Sequence, residues 1–142
     1  MKEEIFIDGR LYAILLRASY DESGIQFFTS HELSQQLASM SYKPGKVIPA
    51  HTHRPVRREV LYTQEALFIR KGKLRVDFYS PEQEYRLSRV LQTGDVILLV
   101  DGGHGFEVLE ELNMVEVKQG PYAGDKDKLV FSSTVPSKIS FD

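Results

Sequence analysis

The chain has 142 residues, of which 42% are hydrophobic and 27% charged, which is the composition of a globular protein with one buried core. Its formal net charge is −2, and it lacks the basic stripe with interleaved aromatic residues that is typical of nucleic-acid-binding proteins. The absence of cysteine excludes disulfides, thiol catalysis and thiolate metal sites. Any metal ion must therefore be held by nitrogen and oxygen ligands.

The N-terminus carries acidic residues where a signal peptide would need positive charge followed by a long apolar run. No stretch of the sequence has the apolar length that a membrane-spanning helix requires. We therefore expect a cytoplasmic protein without membrane or nucleic-acid partners.

The first part of the chain is predicted to form short strands. Asp8-Gly9 is a two-residue hairpin signal between apolar runs at 5–7 and 11–16, and a further strand is expected at 25–28. Residues 31–40 have helical propensity. Because a Pro44-Gly45 turn and a strand-like segment at 46–50 follow, we prefer a strand near residues 36–42.

The middle of the chain alternates apolar runs with glycine-marked turns. Runs at 66–70 and 74–79 flank Lys71-Gly72-Lys73, which predicts a hairpin, and further strands are expected at 85–91, 96–100, 106–109 and 114–118. This pattern predicts an all-β jelly roll of one domain, 1–142, with N-terminal strands in 1–30, a barrel core in 36–122 and a tail in 123–142. The core is expected to contain Phe68, Ile69, Leu74, Val76, Phe78, Val96, Ile97, Leu98, Leu99 and Phe106.

His51 and His53 follow the strand-like segment. Residues two apart on a strand project from the same face, so both imidazoles can reach one point. Neutral imidazole is the commonest metal ligand, and two converging rings form half of a typical site. An isolated His-x-His is, however, more often incidental than a metal site.

Glu65 and His104 supply two more candidate ligands. Glu65 precedes the apolar run 66–69, where an unpaired carboxylate would be costly and a metal ion would provide a partner. His104 lies among Gly102, Gly103 and Gly105, which permit a tight turn and close backbone approach. The alternative readings are a solvent-facing glutamate at a strand end and an ordinary loop histidine.

Taken together, these residues resemble the two motifs of the cupin superfamily. Gly45, five residues, His51-x-His53, and later Glu65, six residues and Gly72 resemble the first motif, while Gly94, a hydrophobic run and His104 resemble the second. The resemblance implies a jelly-roll barrel that binds one divalent transition metal, Fe, Mn, Ni or Zn, through His51, His53, Glu65 and His104. It covers residues 36–122.

Two departures from the cupin pattern bear on the ligands. Eleven residues separate His53 from Glu65, which is an insertion relative to the family. Glu59 is nearer the usual spacing and is a rival ligand, although only Glu65 keeps the six-residue interval to Gly72. In the second motif, Val100 stands where the family usually has proline.

The C-terminal sequence from Val115 to Tyr122 resembles the ending of small cupins encoded among bacterial surface-polysaccharide and nucleotide-sugar genes. This resemblance implies a metalloprotein acting on a small polar, sugar-related molecule. A metal ion with open coordination positions would support isomerisation or epimerisation, or dioxygen chemistry if the metal is Fe. The alternatives are a non-catalytic small-ligand-binding cupin and a metal-free keto-sugar-nucleotide isomerase with His51 or His104 as general base. By analogy with other cupins, we also expect a homodimer.

Several other residues are candidates for substrate binding, and none can be assigned a catalytic role. Arg54, Arg57 and Arg58 form a basic cluster that could hold a carboxylate or phosphate, although a solvated loop is the commoner reading of such a cluster. Lys118 and Tyr122 are weaker candidates. Whether Lys118 and Glu116, or Val115 and Val117, face the interior cannot be decided from the sequence.

Overall fold

The computed structural model describes residues 1–133 and 135–142, which form two compact units. The first unit comprises Met1–Tyr20 and Thr63–Asp142, and the second comprises Asp21–Tyr62. Across the described residues the regular structure consists of eight β-strands and a single 3₁₀ turn, so the prediction of an all-β protein is confirmed. The elements are β1 (Lys2–Ile7), β2 (Arg10–Leu16), β3 (Gly24–Phe27), β4 (Ala38–Ser41), β5 (Glu65–Tyr79), β6 (Tyr85–Gln92), β7 (Val96–Leu99), β8 (Gly103–Lys118) and the 3₁₀ turn Gly124–Lys126.

The first unit is one strongly curled antiparallel sheet that forms a half-barrel. Its strands follow the order β1-β2-β7-β5-β6, with β8 paired to β5. Strand β8 runs along one edge of β5 from Glu65 to Tyr79. The opposite edge of β5 is shared by β7, which pairs with its first residues, and β6, which pairs with its last. Strand β5 therefore has paired strands on both of its edges.

The predicted hairpin at Lys71-Gly72-Lys73 is wrong, because β5 continues through this segment as one strand. Gly72 has φ of +95°, and the pairing of β5 with β8 shifts register on either side of it. A glycine in this conformation produces a bulge that bends a strand, whereas the sequence suggested a reversal of direction. The predicted strands at 106–109 and 114–118 are likewise parts of the single strand β8.

The hydrophobic core of the first unit lies on one face of the curled sheet. Alternating residues of β5 contribute to it on both sides of the bulge, among them Leu67, Leu74, Val76 and Phe78, together with residues from β1, β2, β6 and β7. Most of the predicted core residues are buried. Phe68 and Phe106 are exceptions, at 37% and 40% exposure, and Val96 is partly buried.

The second unit contains one antiparallel pair, β3 with β4. A helix over residues 31–40 does not form, and the preferred strand is present in shorter form as β4. The strand-like segment at 46–50 forms no strand, and the chain from residue 46 to residue 64 has no regular secondary structure. Among all described residues, none belongs to a helix with the length and apolar character needed to cross a membrane.

Candidate functional site

The topology of the first unit brings Glu65 and His104 together. Glu65 is the first residue of β5 and lies opposite Leu99, the last residue of β7. Residues 100–102 then lead directly into β8, of which His104 is the second residue. Nε2 of His104 lies 3.5 Å from Oε2 of Glu65. Two residues that are 39 positions apart in the sequence therefore form a polar pair at the end of the sheet.

Both side chains belong to the core-bearing face of the sheet. His104 is the cross-strand partner of Phe78, and direct partners in an antiparallel pair project to the same side. Glu65 alternates with Leu67 and Ile69, which are buried in the core. The Glu65 side chain is 12% exposed and that of His104 is 28% exposed, so the pair lies where the core meets solvent.

The electrostatic environment favours the ionised form of Glu65. The hydrogen bond from His104 lowers the pKa of the Glu65 carboxyl below its usual value, and this effect outweighs burial, which raises it. The nearby positive charge of Lys118 lowers this pKa further. Glu65 is therefore a carboxylate at neutral pH, as a metal ligand or a hydrogen-bond acceptor must be.

Lys118 and Glu116 complete the polar end of this face. Lys118 is the cross-strand partner of Glu65, and Glu116 is the partner of Leu67, so both lie on the core-bearing side while Val115 and Val117 face the other way. Nζ of Lys118 is 3.9 Å from Oε1 of Glu116. The sequence did not decide which side chains of this part of β8 face the interior, and in the structure they are those of Glu116 and Lys118.

His51 and His53 lie in the second unit, in a segment without secondary structure and exposed to solvent. The expected strand is absent, yet the two rings are close, with centroids 5.3 Å apart and planes at 73°. Nδ1 of His51 lies 2.9 Å from the carbonyl oxygen of Pro49, to which it can donate. That tautomer leaves Nε2 of His51 free to bind a metal ion, the arrangement usual for metal-binding histidines.

The separation of Glu65 and His104 fits half of a metal site. Bonds of about 2.1 Å from a tetrahedral metal place two donor atoms roughly 3.4 Å apart, and Nε2 of His104 and Oε2 of Glu65 are separated by 3.5 Å. Over the described part of the chain, however, no group of three or more histidine, aspartate and glutamate side chains is arranged to hold a metal ion. The set of four ligands stays a prediction, since its halves belong to different units.

The remaining candidates are exposed. Arg54, Arg57 and Arg58 lie in the irregular segment of the second unit, and Tyr122 follows β8 as an exposed residue. Arg58 and the rival ligand Glu59 line an open cleft of about 530 Å³. The other residues of this cleft are His31, Glu32, Leu33, Ser34, Gln36 and Val60.

Phe106, which was expected in the core, lies beside the candidate site instead. Its ring stacks beside His104, with centroids 5.3 Å apart and planes at 29°. The spacing His104-x-Phe106 was the available signal, because residues two apart on a strand share a face.

In comparisons with known proteins, neither a family model nor a curated protein nor a solved structure shows a significant match to this chain.

Proposed function

We propose that the chain is a metal-binding cupin whose jelly-roll barrel acts on a small polar, sugar-related molecule in bacterial polysaccharide or nucleotide-sugar metabolism. In this proposal it is a cytoplasmic homodimer, and Glu65 and His104 are two ligands of one divalent transition metal. The motif resemblance assigns His51 and His53 as the other two ligands.

The observation that carries the proposal is the pairing of Glu65 with His104. Two good metal ligands that are 39 positions apart in the sequence meet at a donor separation that suits one ion. Glu65 is also held in its ionised form by its surroundings. The measurement that distinguishes a metal site from a structural ion pair is the metal content.

The chemistry expected of the site follows from these side chains. A bound divalent ion would supply Lewis acidity toward a carbonyl or hydroxyl oxygen of the substrate. Lys118, opposite Glu65, can donate hydrogen bonds to a substrate oxygen, and Glu116 can accept one from a substrate hydroxyl. Together these groups would position a polyhydroxylated ligand and leave its polar edge against the ion.

Elemental analysis of the purified chain tests the metal claim. We expect about one transition-metal ion per chain after reconstitution, and at least a tenfold weaker metal affinity in Glu65→Gln and His104→Ala. His31→Ala is the matched control, because it removes a histidine that the proposal does not use. The proposal is wrong if the wild-type chain retains less than about a tenth of an equivalent at micromolar metal.

The rival ligand is tested in the same experiment. Glu59→Gln should leave metal affinity within about twofold of wild type if Glu65 is the carboxylate ligand. Loss of metal in Glu59→Gln, with normal binding in Glu65→Gln, would instead assign Glu59.

A second candidate is a metal-free keto-sugar isomerase with His104 as general base. The favouring observation is that Nε2 of His104 faces the Glu65 carboxylate. A proton held there by Glu65 leaves the lone pair of Nδ1 available to a substrate, as in other carboxylate–imidazole pairs. Turnover of keto-sugar nucleotides that persists after chelation would favour this candidate, and absence of turnover across a broad panel would favour a non-catalytic binding protein.

A further inference from the structure

Two apolar side chains beside the Glu65–His104 pair are exposed on the face of the sheet that elsewhere forms the core. Phe106 is the cross-strand partner of Val76, and Val108 is the partner of Leu74. Val76 and Leu74 are fully buried, whereas Phe106 is 40% exposed and Val108 is 56% exposed. We call His104, Phe106 and Val108 the β8 strip.

The orientation of the β8 strip is supported by the residue between its two apolar members. Glu107 lies opposite Arg75 and forms an ion pair with it, with Nη2 and Oε2 2.6 Å apart. Because neighbouring residues of a strand alternate in direction, Glu107 points to one side and Phe106 and Val108 to the other. The strip therefore belongs to the same face as the polar pair and continues it without interruption.

We infer that the β8 strip is a platform for one sugar ring, which lays its C–H face on Phe106 and turns its hydroxyl edge toward Glu65 and His104. This inference rests on the proposed function and assigns the residues that would bind the ring. Binding sites for small molecules commonly combine an apolar floor with a few converging polar groups, and the strip and the polar pair have this composition.

The neighbouring groups favour a ligand with one apolar face and one hydroxylated edge. The ring centroids of His104 and Phe106 are 5.3 Å apart, so the polar and apolar parts of the platform adjoin. The carboxylates of Glu65 and Glu116 accept hydrogen bonds, and the ammonium of Lys118 donates them. Because a hydroxyl group both donates and accepts, the hydroxyl edge of a sugar can pair with all three side chains.

A binding experiment with matched variants tests the platform. The probes are methyl β-glucopyranoside, methyl β-galactopyranoside, UDP-glucose and UDP alone, titrated by calorimetry and by saturation-transfer NMR up to about 10 mM. Phe106→Ala should weaken binding of the sugar-containing probes about tenfold, and Phe106→Tyr should restore it. Phe68→Ala is the control, because Phe68 is similarly exposed but lies on the opposite face. The affinity of this variant for the sugar-containing probes should stay within about twofold of wild type.

The four probes distinguish a free sugar from a nucleotide-linked sugar. Binding of the methyl glycosides indicates a free sugar, and binding of UDP-glucose without the glycosides or UDP indicates a nucleotide-linked one. The inference is overturned if Phe106→Ala binds as wild type does, if UDP binds as tightly as UDP-glucose, or if no probe binds. It is also overturned if Phe106→Ala only converts a dimer into a monomer, which would make the strip a contact between copies of the chain.

Metal content, measured on the same samples, separates this inference from the proposed function. A chain without metal but with Phe106-dependent sugar binding would contradict the metal proposal and support the platform. A chain with one metal ion and sugar binding that is insensitive to Phe106 would do the reverse.

Discussion

Gly102 shows how a single residue positions the candidate site. It precedes β8 with φ of +74°, and a Cβ atom at this position would lie 2.1 Å from the ring of Tyr12. Tyr12 is buried and packs edge-on against Phe78, so its ring cannot move aside. Only glycine therefore allows the chain to turn here and deliver His104 two residues later.

Gly102→Ala should destabilise the first unit by about 3 kcal/mol, from backbone strain together with overpacking. Gly9→Ala is a matched control, because Gly9 has φ of +76° but no atom within 4 Å of the added Cβ. It should cost only about 1 kcal/mol. Urea unfolding measures both, and equal losses would contradict the assigned packing against Tyr12.

Tyr12 also gives the molecule a pH-dependent component of stability. Burial raises the pKa of the Tyr12 hydroxyl above its ordinary value of 10.0, so the unfolded chain loses this proton before the folded chain does. The stabilisation is complete below pH 10 and is lost as the pH rises through the folded pKa. In Tyr12→Phe, the free energy of unfolding should fall less steeply above pH 10, by up to about 1.4 kcal/mol per pH unit.

Urea unfolding between pH 9 and pH 11 measures this slope. Tyr122→Phe is the control, since Tyr122 is 89% exposed and its hydroxyl is already in water. Equal slopes in wild type and Tyr12→Phe would show that burial of Tyr12 has no such effect.

At the scale of the elements, Asp95 joins the β6–β7 turn to the end of β2. Its carboxylate is buried and accepts hydrogen bonds from the backbone N–H groups of Ala18 and Gln92 and from Arg17.

Asp95→Ala should lower the free energy of unfolding by about 3 kcal/mol, because three donors lose their acceptor. Glu111→Ala, which removes an exposed ion pair with Lys71, should cost less than about 0.5 kcal/mol in the same thermal or urea assay. Similar losses in the two variants would contradict a structural role for Asp95.

The elements also show where sequence patterns succeed. Asp8-Gly9 was identified as a turn because the strands on both sides have clear apolar runs. Gly72 carries the same local signal, but in the fold it bends a strand that is held on β8 along its whole length. The difference between a turn and a bulge is decided by pairing with a strand some forty residues away, which local patterns do not contain.

At the scale of the whole molecule, the fold brings together Glu65 and His104, whose binding of a metal ion stays a prediction. Glu65 and His104 were paired by motif order and meet because β7 returns the chain to the start of β5. Phe106 was misassigned because hydrophobicity predicts burial, whereas exposure depends on which elements cover a face. The placement of His51 and His53 depends on a segment without regular structure, where no periodicity fixes the direction of a side chain.

Limited proteolysis tests whether His51 and His53 bind the same ion as Glu65 and His104. Arg57 and Arg58 are exposed in an irregular segment and neither precedes a proline, so trypsin should cleave the apo chain there first. If the two histidines are ligands, this segment must release the ion before it can be cut. Metal at about 100 times its Kd should then slow cleavage by up to about 100-fold. In the double variant His51→Ala, His53→Ala, metal should give no protection, and a wild-type chain that binds metal yet is cleaved at the apo rate would restrict the centre to Glu65, His104 and other ligands.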